Sequence, residues 1–335
     1  MAQETFFGIS FDAESRSVRP LHRDSLAAEL ANPRVFSWLD LQASEIGPLN
    51  RLLIEAGYDL ELTSHFESPA VLPRIVERPD CLSFYLYEIE DPGRHLDARS
   101  ISEITFLRMI VVLGADRILT FHRRPLAAVA GIRAGAEENF RLAGRSPAFV
   151  AFLLLQECLH DYAHLNLAND NYLDGLQIAV LSGERPSADL STAGRNILTL
   201  KKLAASLQIV LTRLATRQSR FVGDEARASF SGMLSALSSV RSGIESSQHL
   251  LDGILGGLQA ASAQRTSEIA RVLTVISGVL LPMTVVTGIY GMNFRHMPEL
   301  EARAGYFVVL AILAAMAAGL LLLFWRLGWL GRRKG

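Results

Sequence analysis

Val272-Leu273-Thr274-Val275-Ile276-Ser277-Gly278-Val279-Leu280-Leu281-Pro282-Met283-Thr284-Val285-Val286-Thr287-Gly288-Ile289-Tyr290 carries no charged side chain. A helix of about 20 such residues crosses a hydrocarbon core of about 30 Å. A second uncharged run, Tyr306 to Trp325, follows after the short linker Gly291 to Gly305. The linker is too short to fold as a domain, so the two spans are expected to form a transmembrane hairpin. Arg265 and Arg271 precede the first span, and Arg326, Arg332, Arg333 and Lys334 follow the second. The linker offers Arg295, Arg303 and His296 against Glu299 and Glu301. The excess of Arg and Lys flanking the pair puts both termini in the cytoplasm and the linker outside. Trp325 and Trp329 fall where an interfacial belt is expected.

Working back from the first span, no proline occurs between Asp224 and Leu281, so one helix is expected to run from the soluble part into the membrane. At 1.5 Å per residue it would be roughly 100 Å long, a stalk. Phe230, Leu237, Ile244, Leu251 and Leu258 recur every seven residues along it. Met233, Val240, Ser247, Ile254 and Ala261 form the companion row, and the two rows make a heptad seam. Gly223 breaks the preceding helix, and Asp224 reads as the N-cap of this one. Upstream, Phe149 to Leu181 and Ser187 to Phe221 read as two further helices. In the second, Ile197, Leu200, Ala204, Leu207, Leu211 and Leu214 step by three and four.

Before about residue 146 strand signals dominate. Thr5 to Phe11, Val35 to Leu41, Cys81 to Ile89, Ile101 to Leu113 and Arg117 to His122 are rich in β-branched and aromatic residues. The last two, split by Gly114-Ala115-Asp116, read as a hairpin, and Glu45 to Ala56 reads as a helix. The expected organisation is an α/β (or α+β) cytosolic domain over 1–146 and a helical stalk over 147–271. A transmembrane hairpin over 272–327 and a basic cytosolic tail over 328–335 complete it.

Composition excludes several classes. The 33 Lys and Arg balance 34 Asp and Glu, a net charge of −1, so no basic body exists to coat nucleic acid. The two cysteines, Cys81 and Cys158, lack metal-ligand spacing and read as reduced thiols. Met1 to Phe11 has neither a basic segment nor a long apolar run, so no signal peptide is expected there. There is no phosphate-binding glycine loop and no recognisable Ser-His-Asp or Cys-His signature, so no enzyme and no resident cofactor are expected. His160 and His164 stand one helical turn apart, but Asp161 occupies the place where a metalloprotease motif needs Glu. The pair reads as solvated or packed against a neighbouring helix.

The two spans differ in kind. The second is uniformly apolar, whereas Ser277, Leu281, Thr284 and Gly288 of the first step by four, three and four along one small, mildly polar face. Spacing alone permits two readings of that face: helix packing, since small and hydroxyl residues glue membrane helices, or the lining of a pore.

At the end of the first span, Tyr290-Gly291-Met292-Asn293 resembles the CorA family of magnesium and cobalt channels. Val272-Leu273-Thr274, Leu281-Pro282-Met283-Thr284 and Gly288 to Phe294 all read like that family's first transmembrane helix. Met297-Pro298-Glu299-Leu300 looks like its outer loop, and Gly305-Tyr306 like the start of its second helix. The resemblance implies a pentameric channel architecture in the cell inner membrane, a homopentamer with first helices lining one central pore. Gly291, Met292 and Asn293 would form the selectivity filter, and Leu273, Ser277, Leu281, Thr284 and Gly288 the pore lining, with Glu299 in the outer loop. Mg²⁺ would be the transported substrate and a possible regulator, with Co²⁺ as a second cargo. The asparagine ring would accept hydrogen bonds from water the ion keeps, because Mg²⁺ dehydrates reluctantly.

Two departures from that pattern stand out. Arg295 and His296 occupy positions where the family often carries acid, which keeps Zn²⁺ transport open as an alternative. The family's closing site bridges acidic residues of neighbouring subunits, yet the expected stalk position here is Gly256. Asp252 lies one turn away, and Asp80 of the sheet domain would be its partner; solvated charges are the competing reading. A membrane-anchored coiled-coil adaptor that conducts nothing is the reading from outside the transporter class, and it would not need Asn293.

Overall fold

The computed structural model describes residues 4–12, 14–30, 32, 34–58, 74–90, 102–143, 146–182, 190–216, 219–292, 297 and 304–329. The chain divides into two compact units, Met1–Ile254 and Leu255–Gly335.

In the first unit seven strands form one sheet: β1 (Thr5–Asp12), β2 (Ser17–Pro20), β3 (Val35–Gln42), β4 (Ile75–Glu77), β5 (Leu82–Ile89), β6 (Phe106–Leu113) and β7 (Arg117–His122). Their order is β2-β1-β3-β7-β6-β5-β4. The pairing of β3 with β7 is parallel, and the others are antiparallel. The expected hairpin is β6–β7, closed at Leu113 opposite Ile118. Two helical stretches, α1 (Leu26–Leu30) and α2 (Gly47–Glu55), flank β3 in sequence, and α3 (Ala127–Ala134) and α4 (Ala136–Ala143) follow β7.

The run expected from Ile101 to Leu113 is strand only from Phe106. The reason is a side chain that takes the place of a strand partner. Asn196 accepts from the Ile104 amide at 2.9 Å and donates to the Ser102 carbonyl at 2.9 Å, as a neighbouring peptide group would.

The parallel junction is tied by polar side chains in the core. Asp40 and Thr120 are register partners and both are buried. The Thr120 hydroxyl donates to Asp40 Oδ1 and accepts from Trp38 Nε1 at 3.0 Å. His122 donates from Nδ1 to the Arg124 carbonyl at 2.7 Å, which turns Nε2 toward Asp40. On β5, Glu88 Oε1 accepts from the amides of Ala127 and Ala128 at 2.6 and 3.0 Å, capping α3. Burial pushes the Glu88 carboxyl above its ordinary range against the pull of those amides.

Three long helices follow: α5 (Pro147–Leu181), α6 (Leu190–Thr216) and α7 (Asp224–Tyr290). Pro147 opens α5 at a position where its missing N–H costs nothing. Asp224 stands inside the first turn of α7, not at its N-cap; Gly223 precedes it, and the Asp224 carboxylate pairs with Arg227 at 2.7 Å. The heptad seam is real in this unit. Phe230, Met233, Leu237, Ile244, Ser247, Leu251 and Ile254 are buried. Ser247 donates toward Asn166 and Asp170 of α5, so the polar member of the seam is satisfied across the helix pair. Beyond Ile254 the seam lapses: Leu258 is half-buried and Ala261 exposed.

In the second unit, α7 and α8 (Gly305–Arg326) are long and apolar enough to cross a membrane.

Candidate functional site

The membrane segment of α7 has one side that meets α8 and one that is exposed among the described residues. Val275 is 5 % exposed, and Gly278, Val279, Pro282, Met283, Val286 and Tyr290 are half-buried. These positions step by three, one and four, which is one helical face. At Gly278 the two helices come close, because a Cβ built there would lie 2.9 Å from Phe324 Cζ. On α8, Leu313 is buried and Phe324 half-buried.

The end of α8 has a defined cap. Gly328, at φ +73°, donates to the Trp325 carbonyl at 3.0 Å, and Trp329 N donates to the Phe324 carbonyl at 2.9 Å. That pair of bonds closes the helix through a left-handed glycine. Trp329 then folds back against Phe324, with ring centroids 5.7 Å apart and planes tilted by 30°. Trp329 also lines an apolar groove of about 350 Å³ with Val272, Val275, Ile276, Val279, Leu280 and Leu321.

The five residues singled out as a pore lining all lie on the other side. Leu273 and Leu281 are 62 % and 69 % exposed, and Ser277, Thr284 and Gly288 are exposed. At 100° per residue, the mean direction of this set stands about 180° from that of the covered set. Packing within the hairpin is therefore done by Gly278 and its neighbours, not by the Ser277–Gly288 face. The sequence offers small residues on both sides of the helix, and the position of α8 is what divides them.

The threonine hydroxyls of this segment are already committed as donors. Thr274 donates to the Ala270 carbonyl at 2.8 Å, Thr284 to Leu280 at 2.9 Å and Thr287 to Thr284 at 3.1 Å. What the exposed Thr284 oxygen presents outward is acceptor capacity. Acceptors are what the outward-pointing hydrogens of a hydrated cation require.

At the C-terminal end of α7, Gly291 N donates to the Thr287 carbonyl at 2.9 Å and Met292 N to the Ile289 carbonyl at 3.2 Å. The helix thus ends in a tightened last turn. Gly291 does not adopt the left-handed conformation expected of a helix-stopping glycine; its value is closeness, since a Cβ would sit 3.2 Å from the Thr287 oxygen. Met292 is exposed. Asn293, Arg295, His296 and Glu299 lie outside the described residues.

Asp80 sits in the turn between β4 and β5, and Asp252 on the outer side of α7; both are exposed. The fold of one chain does not join them. Among the described residues, no three His, Cys, Asp or Glu side chains converge to hold a metal ion.

Residues 34–330 match the family model described as CorA-like Mg2+ transporter protein. The chain is 26% identical to the magnesium transport protein CorA of Yersinia pseudotuberculosis over 321 residues, 92% of this chain and 94% of that one. It is 29% identical to the cobalt/magnesium transport protein CorA of Thermotoga maritima over 186 residues, 54% of this chain and 52% of that one. Among solved structures, the complete CorA magnesium transporter of Methanocaldococcus jannaschii superposes with a TM-score of 0.77 at 17% identity, covering 99% of both chains. The ZntB cytoplasmic domain of Vibrio parahaemolyticus superposes with a TM-score of 0.57 at 12% identity, covering 77% of this chain and 99% of that one.

Proposed function

The chain belongs to the CorA-like Mg²⁺ transporter family, and we propose that it passes Mg²⁺, with Co²⁺ as a second cargo, down its electrochemical gradient through a central pore formed by five identical copies. The observation that carries this reading is the uncovered face of α7. Leu273, Ser277, Leu281, Thr284 and Gly288 stand opposite the side taken by α8 and are exposed, so that face is open to contact with other copies. Bare helices seldom stand alone, and residues 259 to 274 of α7 are all exposed among the described residues, which also favours an assembly.

In the proposed pore, five copies of Asn293 with Gly291 and Met292 form the outer filter. The amide oxygens accept from the ion's bound waters without stripping them, which lets a slowly dehydrating cation enter and leave. Deeper in, the Thr284 oxygens repeat the same acceptor chemistry. Leu281 and Leu273 form apolar rings able to close the path by dewetting. The membrane potential supplies the drive, about 2.3 kcal/mol per charge per 100 mV and double that for a divalent ion. Glu299 in the linker would gather cations at the mouth, and both termini would face the cytoplasm. Asp80 of one copy and Asp252 of the next are the corresponding proposal for a Mg²⁺-sensing contact.

The test is uptake by proteoliposomes that enclose a Mg²⁺-sensitive dye, at an imposed negative-inside potential. Wild type should fill the vesicles and Asn293→Ala should not. Vesicles that take up Zn²⁺ but not Mg²⁺ would replace this reading with zinc transport. Vesicles closed to both would remove conduction altogether.

A further inference from the structure

The sheet-containing unit carries a second cluster with cation-binding chemistry, on the outside of α5. His160 and His164 are both exposed there, with imidazole centroids 4.2 Å apart and rings inclined at 52°. They do not pack into the core; Cys158, Leu159 and Tyr162 do. The sequence alone left a solvated pair and a helix-packing pair open, and the 63 % exposure of the His160 side chain removes the second. The half-buried Asp161 places Oδ1 3.9 Å from His160 Nδ1, with its own side chain only 18 % exposed. Glu157 lies one turn before on the same exposed side. Burial raises the Asp161 carboxyl, His160 and His164 draw it down and Glu157 raises it, so the four groups share one electrostatic neighbourhood.

We propose that His160 and His164 chelate a first-row transition cation of the Co²⁺, Ni²⁺ or Zn²⁺ class through their Nε2 atoms, with Asp161 holding His160 from the Nδ1 side and water completing the shell. The distances suit this. Two nitrogens bound at about 2.1 Å stand about 3.0 Å apart in cis octahedral and about 3.4 Å apart in tetrahedral geometry. Rings with centroids at 4.2 Å reach either by small side-chain rotations. A carboxylate on the far nitrogen is the usual orienting partner of a metal-bound imidazole, and Asp161 Oδ1 would close from 3.9 Å by about 1 Å to make that hydrogen bond. Imidazole selects transition cations, whereas Mg²⁺ demands oxygen. The site would therefore read a different ion from the one proposed for the pore. With only two protein ligands, it would exchange its ion readily. Because it lies apart from the membrane spans in sequence and chemistry, it stands or falls independently of the transport reading.

The experiment is isothermal titration of the full chain, carrying no polyhistidine tag, with Ni²⁺ in millimolar Mg²⁺ that saturates oxygen sites. Wild type should bind one more Ni²⁺ per chain than the double variant His160→Ala/His164→Ala. Either single substitution should weaken that site at least about ten-fold by removing one arm of the chelate, and Asp161→Asn should weaken it by about ten-fold through loss of the orienting partner. Circular dichroism would verify that these surface variants fold. Identical isotherms for wild type and the folded double variant, or full displacement of the extra Ni²⁺ by Mg²⁺, would overturn the proposal.

Discussion

Exchanging Gly278 and Gly288 for valine, one at a time, separates the two faces of the first span. Both glycines lie on the same helix, so the change in helix propensity is nearly the same for each and cancels in the comparison. A Cβ at Gly278 would stand 2.9 Å from Phe324 Cζ and 3.2 Å from Cε2. Carbon atoms pack at about 3.5–4.0 Å, so Phe324 must retreat by roughly 1 Å, and the valine methyls push further. Phe324 is half-buried, and its ring lies against Trp329 with centroids 5.7 Å apart, which limits how far it can yield. Overpacking of this kind costs about 1–3 kcal/mol. A Cβ at Gly288 meets nothing within 4 Å, so Gly288→Val carries no such penalty in the hairpin. The assay is thermal unfolding of the purified full chain in detergent, read beside uptake in proteoliposomes. Gly278→Val should melt several degrees below Gly288→Val, while Gly288→Val should keep its melting temperature and lose conduction. Equal melting of the two variants would refute the assignment of faces, and so would undiminished conduction by Gly288→Val.

Three further outcomes follow from the sheet-containing unit. Phe230→Ala empties a fully buried seam position and should cost about 3–5 kcal/mol in chemical denaturation. Asn196→Ala strands the Ile104 amide and the Ser102 carbonyl and should cost about 1–3 kcal/mol, with faster hydrogen exchange at Ile104. Glu88 has its folded carboxyl raised, first by burial, above the ordinary 4.5. A raised carboxyl contributes stability that is complete below the unfolded value and lost as pH climbs through the folded one. Wild type should therefore lose stability relative to Glu88→Gln as pH rises from 4.5 toward neutrality; parallel pH profiles for the two would contradict this.

Much of the fold was legible because it is written in local period. The strands at Thr5, Val35, Leu82 and Arg117 and the β6–β7 hairpin follow from β-branched runs and turn residues. The seam from Phe230 to Ile254 follows from the heptad. What escaped were β2 and β4, of four and three residues, too short to carry alternation. They lie at the two edges of the sheet, where one partner strand suffices. The parallel pairing of β3 with β7 spans some 80 residues of sequence and no local signal foretells it. The site shows the same divide. The sequence marks which residues of the first span are small or hydroxylic, but assigning them to packing or to an open face needs the position of Phe324, a residue some 46 positions away. The glycine cap at Gly328 was readable in principle, since a glycine just after an apolar helix and before Trp329 is the usual pattern.

The most direct test of the uncovered face is a cysteine scan from Leu273 to Gly288 in conducting proteoliposomes, using a charged, water-soluble thiol reagent. The native thiols, Cys81 and Cys158, are buried and give little background. Ser277→Cys, Thr284→Cys and Gly288→Cys should react and block Mg²⁺ uptake, with protection by Mg²⁺ itself, while Val275→Cys, Val279→Cys and Val286→Cys should stay inert. Reaction and block on the Val275–Val286 side, with the Ser277–Gly288 side silent, would contradict a pore built on that face.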